Sequence, residues 1–180
     1  MRTSLFIVVL AVLAFSSCDL ATVNIATDFT KSITAVSDYP ASEAVVSLKS
    51  AIVDPTYFES DTIDLTDNAD LEEYKEKIKE VDVHTVSCTF SGIPTGDTIK
   101  SFTISVENTE LSETLNNIAV NGTKEELSIA TAILTAVGEE LMDQEKIVIN
   151  VSGTTSVPLT FTVEIAFDSE VKAGALSSNK

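Results

Sequence analysis

Apolar and polar side chains alternate along several stretches of this chain, and this period of two constrains its fold more than any other feature. Successive side chains of a β-strand point to opposite faces of a sheet, so such a stretch is typical of a strand with one buried face. Turn residues separate the stretches, and we therefore predict a protein built mainly of β-strands. The predicted strands are residues 21–36, 57–65, 81–91, 99–106, 146–152 and 159–167.

Two other segments carry apolar residues at three- and four-residue steps, which indicates helices. The first is residues 69–79, with Leu71, Tyr74 and Ile78, and the second is residues 124–142. We expect Gly138 to end or bend the second helix. Residues 41–52 fit either a short helix or a strand.

The order of these elements limits the fold class. Residues 81–91 and 99–106 are predicted to form a hairpin, connected by the six-residue turn from Gly92 to Asp97. Strands and helices do not alternate regularly, which argues against a parallel α/β fold. We expect a mainly β fold, an antiparallel β-sandwich of Ig-like or related type, with one or two accessory helices.

The N-terminus carries an apolar run from Leu5 to Ala14, preceded by Arg2 and followed by Phe15-Ser16-Ser17-Cys18. The run is shorter than the about 20 apolar residues of a membrane span, and its parts are those of a secretory signal. The segment ending at Cys18 resembles the signal of bacterial lipoproteins, although that family more often has an aliphatic residue in place of Phe15. An ordinary cleaved signal and an uncleaved anchor are the alternatives.

The lipoprotein resemblance implies where in the cell the protein is located. In that family the cysteine thiol receives a diacylglyceryl group, and cleavage leaves this cysteine at the N-terminus. It implies a signal peptide at 1–17, a lipid on Cys18, and a single β-rich globular domain at 18–180, a length that suits one domain. The domain is then tethered to a membrane of the bacterial cell envelope, facing either the periplasm or the outside.

Charge narrows the range of partners. Arg2 is the only arginine, so the mature part carries ten lysines against 28 acidic residues and a formal charge of −18. Phosphate backbones attract arginine-rich, basic surfaces, so we expect no nucleic-acid partner. Anionic lipid headgroups are repelled for the same reason, which leaves the lipid on Cys18 as the expected membrane contact.

Two residues could be interpreted as reactive groups. Cys88 shares one face of a predicted strand with Val86 and Phe90, so we expect a buried, inert thiol. His84 is the single histidine, and the same strand phase points it toward the core as a structural residue. No nucleophile signature such as Gly-x-Ser-x-Gly accompanies it, so we expect no catalytic residue and no enzyme.

Acidic and aromatic residues suggest two further ligands. The run from Asp61 to Glu73 is rich in carboxylates, but residues 64–70 lack the glycine of a calcium loop, which favours solvated helix caps over a metal site. Sugar-binding surfaces present flat aromatic rings, for which the candidates are Tyr39, Tyr57 and Tyr74. We expect no cofactor and no metal.

The sequence therefore favours a non-catalytic, membrane-anchored envelope lipoprotein that acts as a binding, accessory or structural module, with an envelope protein or polysaccharide as its partner. One alternative is a carrier of an apolar ligand, which requires a large void between the sheets. The residues expected to line such a void are Phe90, Phe102, Leu134 and Phe161. A second alternative is a carbohydrate-binding or hydrolytic surface protein.

Overall fold

Two antiparallel β-sheets pack face to face in this protein, as the sequence predicts. A computed structural model describes residues 21–40 and 53–175, and within them each sheet has four strands. The first sheet has the order β1-β8-β3-β6 and the second has the order β2-β7-β4-β5. The strands are β1 (Thr22–Val36), β2 (Thr56–Asp64), β3 (Ile78–Ser91), β4 (Ile99–Val106), β5 (Ser112–Ile118), β6 (Lys124–Glu126), β7 (Lys146–Thr155) and β8 (Thr160–Gly174).

The sandwich has two distinct ends. β1 and β8 pair along their whole length, from Thr22 opposite Gly174 to Val36 opposite Thr160. The end that holds Thr22 and Gly174 is called the near end, because it is the one closer in sequence to Cys18. There the N–H of Ala175 donates to the carbonyl oxygen of Ala21 at 2.9 Å. The opposite end is called the far end.

The core lies between the two sheets and is packed by inward-facing residues of both. In β8 the alternate residues Phe161, Val163 and Ile165 are buried, as the period of two requires. The rings of Phe90 and Phe102 meet edge to face across the sandwich, with centroids 4.9 Å apart. Edge-to-face packing of this kind is favourable because the positive edge of one ring meets the negative face of the other.

The predicted hairpin between residues 81–91 and 99–106 is wrong. β3 lies in the first sheet, where it pairs with β8 and β6, whereas β4 lies in the second sheet beside β7 and β5. The intervening loop, which turns where the N–H of Asp97 donates to the carbonyl of Pro94, crosses from one sheet to the other. Sheets pack about 10 Å apart, a distance that a loop of this length spans without forcing its strands to pair.

The two helical segments differ from their predictions. Residues Ala69–Lys77 form a 3-10 helix, not an α-helix, and Ile78 already belongs to β3. The three-residue step from Leu71 to Tyr74 suits either helix type. The second helix, α1, spans Thr131–Gln144, because Lys124–Glu126 pairs with β3 as a short edge strand instead.

Gly138 lies inside α1 and neither ends nor visibly interrupts it, contrary to the expectation from sequence. The helix packs against β3, and an added Cβ at Gly138 would stand 2.2 Å from the carbonyl oxygen of Val81. Glycine is therefore required here by the close approach of a strand, which allows the helix to bury Leu134, Val137 and Leu141.

A partly exposed ion pair closes one side of the sandwich, where the edge strands β1 and β2 meet. Lys31 occupies an inward-facing position between the buried residues Phe29 and Ile33. Its Nζ lies 2.9 Å from a carboxylate oxygen of Asp61 on β2. An inward-facing lysine on an edge strand opposes pairing with the edge of another sheet, because an added strand would bury the charge.

Candidate functional site

Some residues that the sequence singles out lie outside the described part of the chain. Cys18 and the whole segment 1–17 do, and so do residues 41–52. The described chain places β1 only four positions after Cys18, with its first residue, Thr22, at the near end. Among the described helices, none has the length and apolar character needed to cross a membrane.

His84 is exposed, which corrects the expectation that it points toward the core. The pairing of β3 with β8 is interrupted between Val83 and Thr85, where an irregularity inserts His84 as an extra residue. A β-bulge shifts the in-out alternation by one position, so Val83 and Val86 are both buried although they are three residues apart. No side chain in the described ranges 21–40 and 53–175 forms a hydrogen bond with His84, and His84 does not line the cleft described below.

Cys88 is buried in the inner face of β3, as expected from its strand phase. Its thiol has no exposed surface, and burial raises its pKa to about 12. Because the thiolate is the reactive form, burial and the raised pKa both oppose reaction of this thiol in the folded protein.

The acidic segment uses its carboxylates for local structure. A carboxylate oxygen of Asp64 accepts hydrogen bonds from the N–H of Thr66 at 2.7 Å and from its hydroxyl at 2.6 Å. Both bonds lower the pKa of Asp64, and the bond from the Thr66 hydroxyl has the larger effect. The side chain of Asn68 caps the following 3-10 helix by accepting from the N–H of Asp70. Asp64 and Asn68 thus cap the two successive 3-10 helices, Leu65–Asp67 and Ala69–Lys77.

The same segment borders an open cleft of about 330 Å³. Its lining includes Asp28, Lys31, Asp64, Asp67 and Asp70. Within residues 21–40 and 53–175, no three His, Cys, Asp or Glu side chains come together in a group that could hold a metal ion. Burial opposes ionisation of Asp61 nearby, but the hydrogen bonds from Lys31 and from the N–H of Thr62 outweigh it and lower the pKa of Asp61.

The residues proposed to line an apolar cavity are instead packed against one another. Phe90, Phe102 and Phe161 are at most 1% exposed, and Leu134 lies on the buried side of α1. The ring of Phe161 meets that of Tyr57 edge to face at 5.1 Å. This dense packing favours a solid core over a carrier's binding chamber.

The aromatic residues divide between core and surface. Tyr57 is buried, and its hydroxyl donates to the carbonyl oxygen of Ser101 at 2.9 Å. Tyr74 is half-buried, whereas Tyr39 is exposed. The sequence analysis did not single out Phe58, which is 66% exposed and the most exposed large apolar side chain described. Its position follows from the strand phase, because the buried neighbours Tyr57 and Ile63 place residue 58 on the outer face.

The outer face of the second sheet is covered by uncharged polar side chains, and we call it the hydroxyl face. It contains one aromatic ring, that of Phe58. It also contains one aliphatic side chain, that of Val148 of β7. The polar residues on the face are Thr56, Ser60 and Thr62 of β2, Asn150, Ser152 and Thr154 of β7, Ser101, Thr103 and Ser105 of β4, and Ser112, Thr114 and Asn116 of β5.

Charged residues of the described chain flank this face at its two ends. Asp64 pairs in register with Lys146 at the near end, and Glu107 reaches Asn150 from the loop beyond β4. At the far end Lys100 forms an ion pair with Asp54. The middle of the face is therefore an uncharged patch on a strongly acidic domain.

Cross-strand hydrogen bonds order part of this surface. The hydroxyls of Ser101 and Thr154 lie 2.9 Å apart, and those of Thr103 and Thr114 lie 2.8 Å apart. Pairs of this kind link neighbouring strands and restrict the rotamers of both side chains. The face thus presents a partly fixed array of donors and acceptors.

The outer face of the first sheet has a different character. Lys172 and Glu80 form an ion pair there at 2.6 Å, and the hydrogen bond that Lys172 donates to the Glu80 carboxylate raises the pKa of Lys172. The exposed or half-exposed acidic side chains of the three longest strands of this sheet include Asp28, Asp82, Glu164, Asp168 and Glu170. Charge is thus distributed unequally between the two faces of the sandwich.

Comparisons with known proteins give no family for this chain. No family model matches the sequence, and no curated protein matches it. Among solved structures, a chain described as Desmodium yellow mottle tymovirus is 10% identical, with a match that covers 87% of this chain and 93% of that chain at a TM-score of 0.32.

Proposed function

We propose that this protein is a non-catalytic binding module of the bacterial cell envelope, held at a membrane by a lipid on Cys18. The observation that carries the binding role is the hydroxyl face, an uncharged surface on a domain whose mature part has a formal charge of −18. Repulsion between acidic domains keeps them apart, so a surface without charge is the part best suited to a close contact.

The position of the proposed tether supports this role. β1 begins four positions after Cys18, and its 15 residues run from the near end to the far end. A strand rises about 3.3 Å per residue, so the far end stands roughly 45 Å from the near end along β1. The membrane then faces the near end, and both outer faces of the sandwich remain accessible to other envelope components.

The dense core and the position of His84 favour a module over the alternatives. A carrier needs a chamber where Phe90, Phe102 and Phe161 pack tightly. A hydrolase built on His84 needs a serine or aspartate within hydrogen-bond reach, and the described residues provide none.

Metabolic labelling with a fatty acid tests the tether. The wild-type protein, expressed in a bacterium, is expected to incorporate the label and to fractionate with membranes, whereas Cys18→Ser is expected to lose both properties. Cys88→Ala is the matched control, since it removes the other cysteine and is expected to keep the label. Equal labelling and fractionation of wild type and Cys18→Ser would show that the lipoprotein assignment is wrong.

Crosslinking on intact cells tests the binding role. A photo-crosslinking amino acid at position 152, in the middle of the hydroxyl face, is expected to give more adducts than one at position 164 on the outer face of the first sheet. Equal yields from the two positions would contradict a binding role for the hydroxyl face.

A further inference from the structure

We propose that the hydroxyl face binds an uncharged polysaccharide chain, with the ring of Phe58 stacking on a sugar. This inference rests on the proposed binding role and adds the chemical class of its ligand. Three features carry it: the lack of charge on the face, its hydroxyl and amide groups, and its single exposed aromatic ring.

The negative charge of the domain disfavours the binding of anionic polymers. The mature domain has a formal charge of −18, so it repels nucleic acids and anionic polysaccharides over its whole surface. A cationic partner would gain most from the carboxylates of the first sheet's outer face, such as Asp168 and Glu164, which lie on the opposite side of the sandwich. An uncharged ligand gains no electrostatic attraction from the acidic face, so it gives up none by binding to the hydroxyl face.

The polar groups of the face match the hydroxyls of a sugar chain. Each serine or threonine hydroxyl offers one donor and two acceptor sites, and each asparagine amide offers both kinds of group. The hydroxyls of Thr103 and Thr114 use one donor between them, which leaves further acceptor sites open. Neighbouring strands place such groups about 4.8 Å apart, in a flat, repeating array that suits an extended ligand.

Phe58 supplies the apolar contact of such a site. Its side chain is 66% exposed, beside Ser152 across the strand pair and between Thr56 and Ser60 on its own side of β2. A protein interface usually centres on a cluster of buried aromatic, methionine or arginine anchors. One ring among hydroxyls lacks that cluster, but it can cover the apolar C–H face of a sugar ring while the hydroxyls around it pair with the sugar's own.

Affinity electrophoresis of the full lipidated protein in detergent tests this proposal. Native gels containing hydroxyethylcellulose, glycogen or galactomannan serve as uncharged probes, and a gel containing alginate serves as the anionic probe. We expect at least one uncharged polysaccharide to retard the protein and alginate to leave its mobility unchanged. If no uncharged polysaccharide retards it, the inference is wrong.

Substitutions assign any binding to the face. Phe58→Ala is expected to weaken binding roughly three- to tenfold, the range typical of one aromatic contact, with an unchanged melting temperature because the ring is exposed. Thr114→Glu is expected to abolish binding by adding charge. Its matched control is Thr34→Glu, which alters another edge-strand threonine that is paired with a threonine, here on the first sheet.

The results also separate this inference from the binding role. If polysaccharide retardation survives Phe58→Ala and Thr114→Glu, or is lost equally in Thr34→Glu, the hydroxyl face is not the polysaccharide site. If no polysaccharide binds while crosslinks from position 152 identify a protein, the ligand class is wrong and the binding module stands. If neither a polysaccharide nor a crosslinked partner is found, both proposals fail.

Discussion

Replacing Gly138 with alanine should destabilise this protein, although the same change normally stabilises a helix. Alanine in a helix interior is favoured over glycine by about 1 kcal/mol. At Gly138, however, the new Cβ would lie 2.2 Å from the carbonyl oxygen of Val81, where Cβ contacts shorter than 3.0 Å are essentially never found. The carbonyl belongs to the backbone of β3, so no side-chain rotation relieves the contact.

The magnitude follows from the displacement that alanine forces on α1. Restoring a normal contact moves the helix away from β3 by most of an ångström. A gap of about 0.5–1 Å removes a quarter to a half of the dispersion energy of each atom pair that it separates. Overpacking of this kind costs about 1–3 kcal/mol, which exceeds the gain in helix propensity. We expect a net loss of about 1–2 kcal/mol and a fall in melting temperature of about 2–8 °C.

Urea unfolding followed by circular dichroism measures this loss. Thr135, exposed in the same helix, provides the calibration: Thr135→Ala should be more stable than Thr135→Gly by about 1 kcal/mol, the propensity difference alone. A Gly138→Ala variant that is stabilised by a similar amount would refute the argument, because it would show that β3 and α1 separate at no cost.

Three further outcomes are expected. Tyr57→Phe should lower the free energy of unfolding by about 1 kcal/mol in urea titrations, because it removes the hydrogen bond to Ser101; an unchanged midpoint would contradict this. Asp64 has a lower pKa in the folded than in the unfolded protein, so its stabilisation is present above its unfolded pKa of about 4 and is lost as the pH falls through the folded value. Asp64→Asn should therefore reduce the loss of stability on acidification from about pH 5 to pH 3, measured by urea titration at each pH, and an identical pH dependence would argue against this role. Cys88 should react with a thiol reagent such as DTNB only after the protein unfolds, and rapid labelling of the native protein would contradict its burial.

The strands could be predicted from sequence because each has one buried face. In β8, for example, Phe161, Val163 and Ile165 are buried and Glu164 is exposed, so the alternation shows directly which residues face the core. Alternation specifies faces and not partners, however. The pattern in β3 and β4 is the same whether they form a hairpin or lie in opposite sheets.

The errors at His84 and Gly138 also have physical causes. The residue inserted at His84 shifts the in-out alternation of β3 by one position. Val83 is buried before the insertion and Val86 is buried after it, and because both are apolar the sequence pattern does not reveal the shift. Glycine at position 138 is explained by a strand that lies 57 residues earlier in the chain, at Val81, which no local pattern reveals.

The candidate site was only partly accessible from sequence. The outward position of Phe58 follows from the phase of β2, and Ser and Thr are frequent at the outer positions of β4 and β7. The hydroxyl face itself depends on the order β2-β7-β4-β5, which brings these polar stripes side by side. A continuous uncharged surface is thus a property of strand order that single strands do not show.

The hydrogen bond between Ala175 and Ala21 has a practical consequence for tagging and engineering. Because the first and last described strands meet at one end, a reporter appended after Ala175 would lie at the near end, on the side of the proposed lipid. The turn at Gly96, where an added Cβ would meet no neighbouring atom within 4 Å, is a better insertion point for an epitope that must reach an antibody. The same closeness of the ends permits a circular permutant that joins residues 21 and 175 and opens the chain at Gly96, which would remove residues 1–20 without cutting a strand.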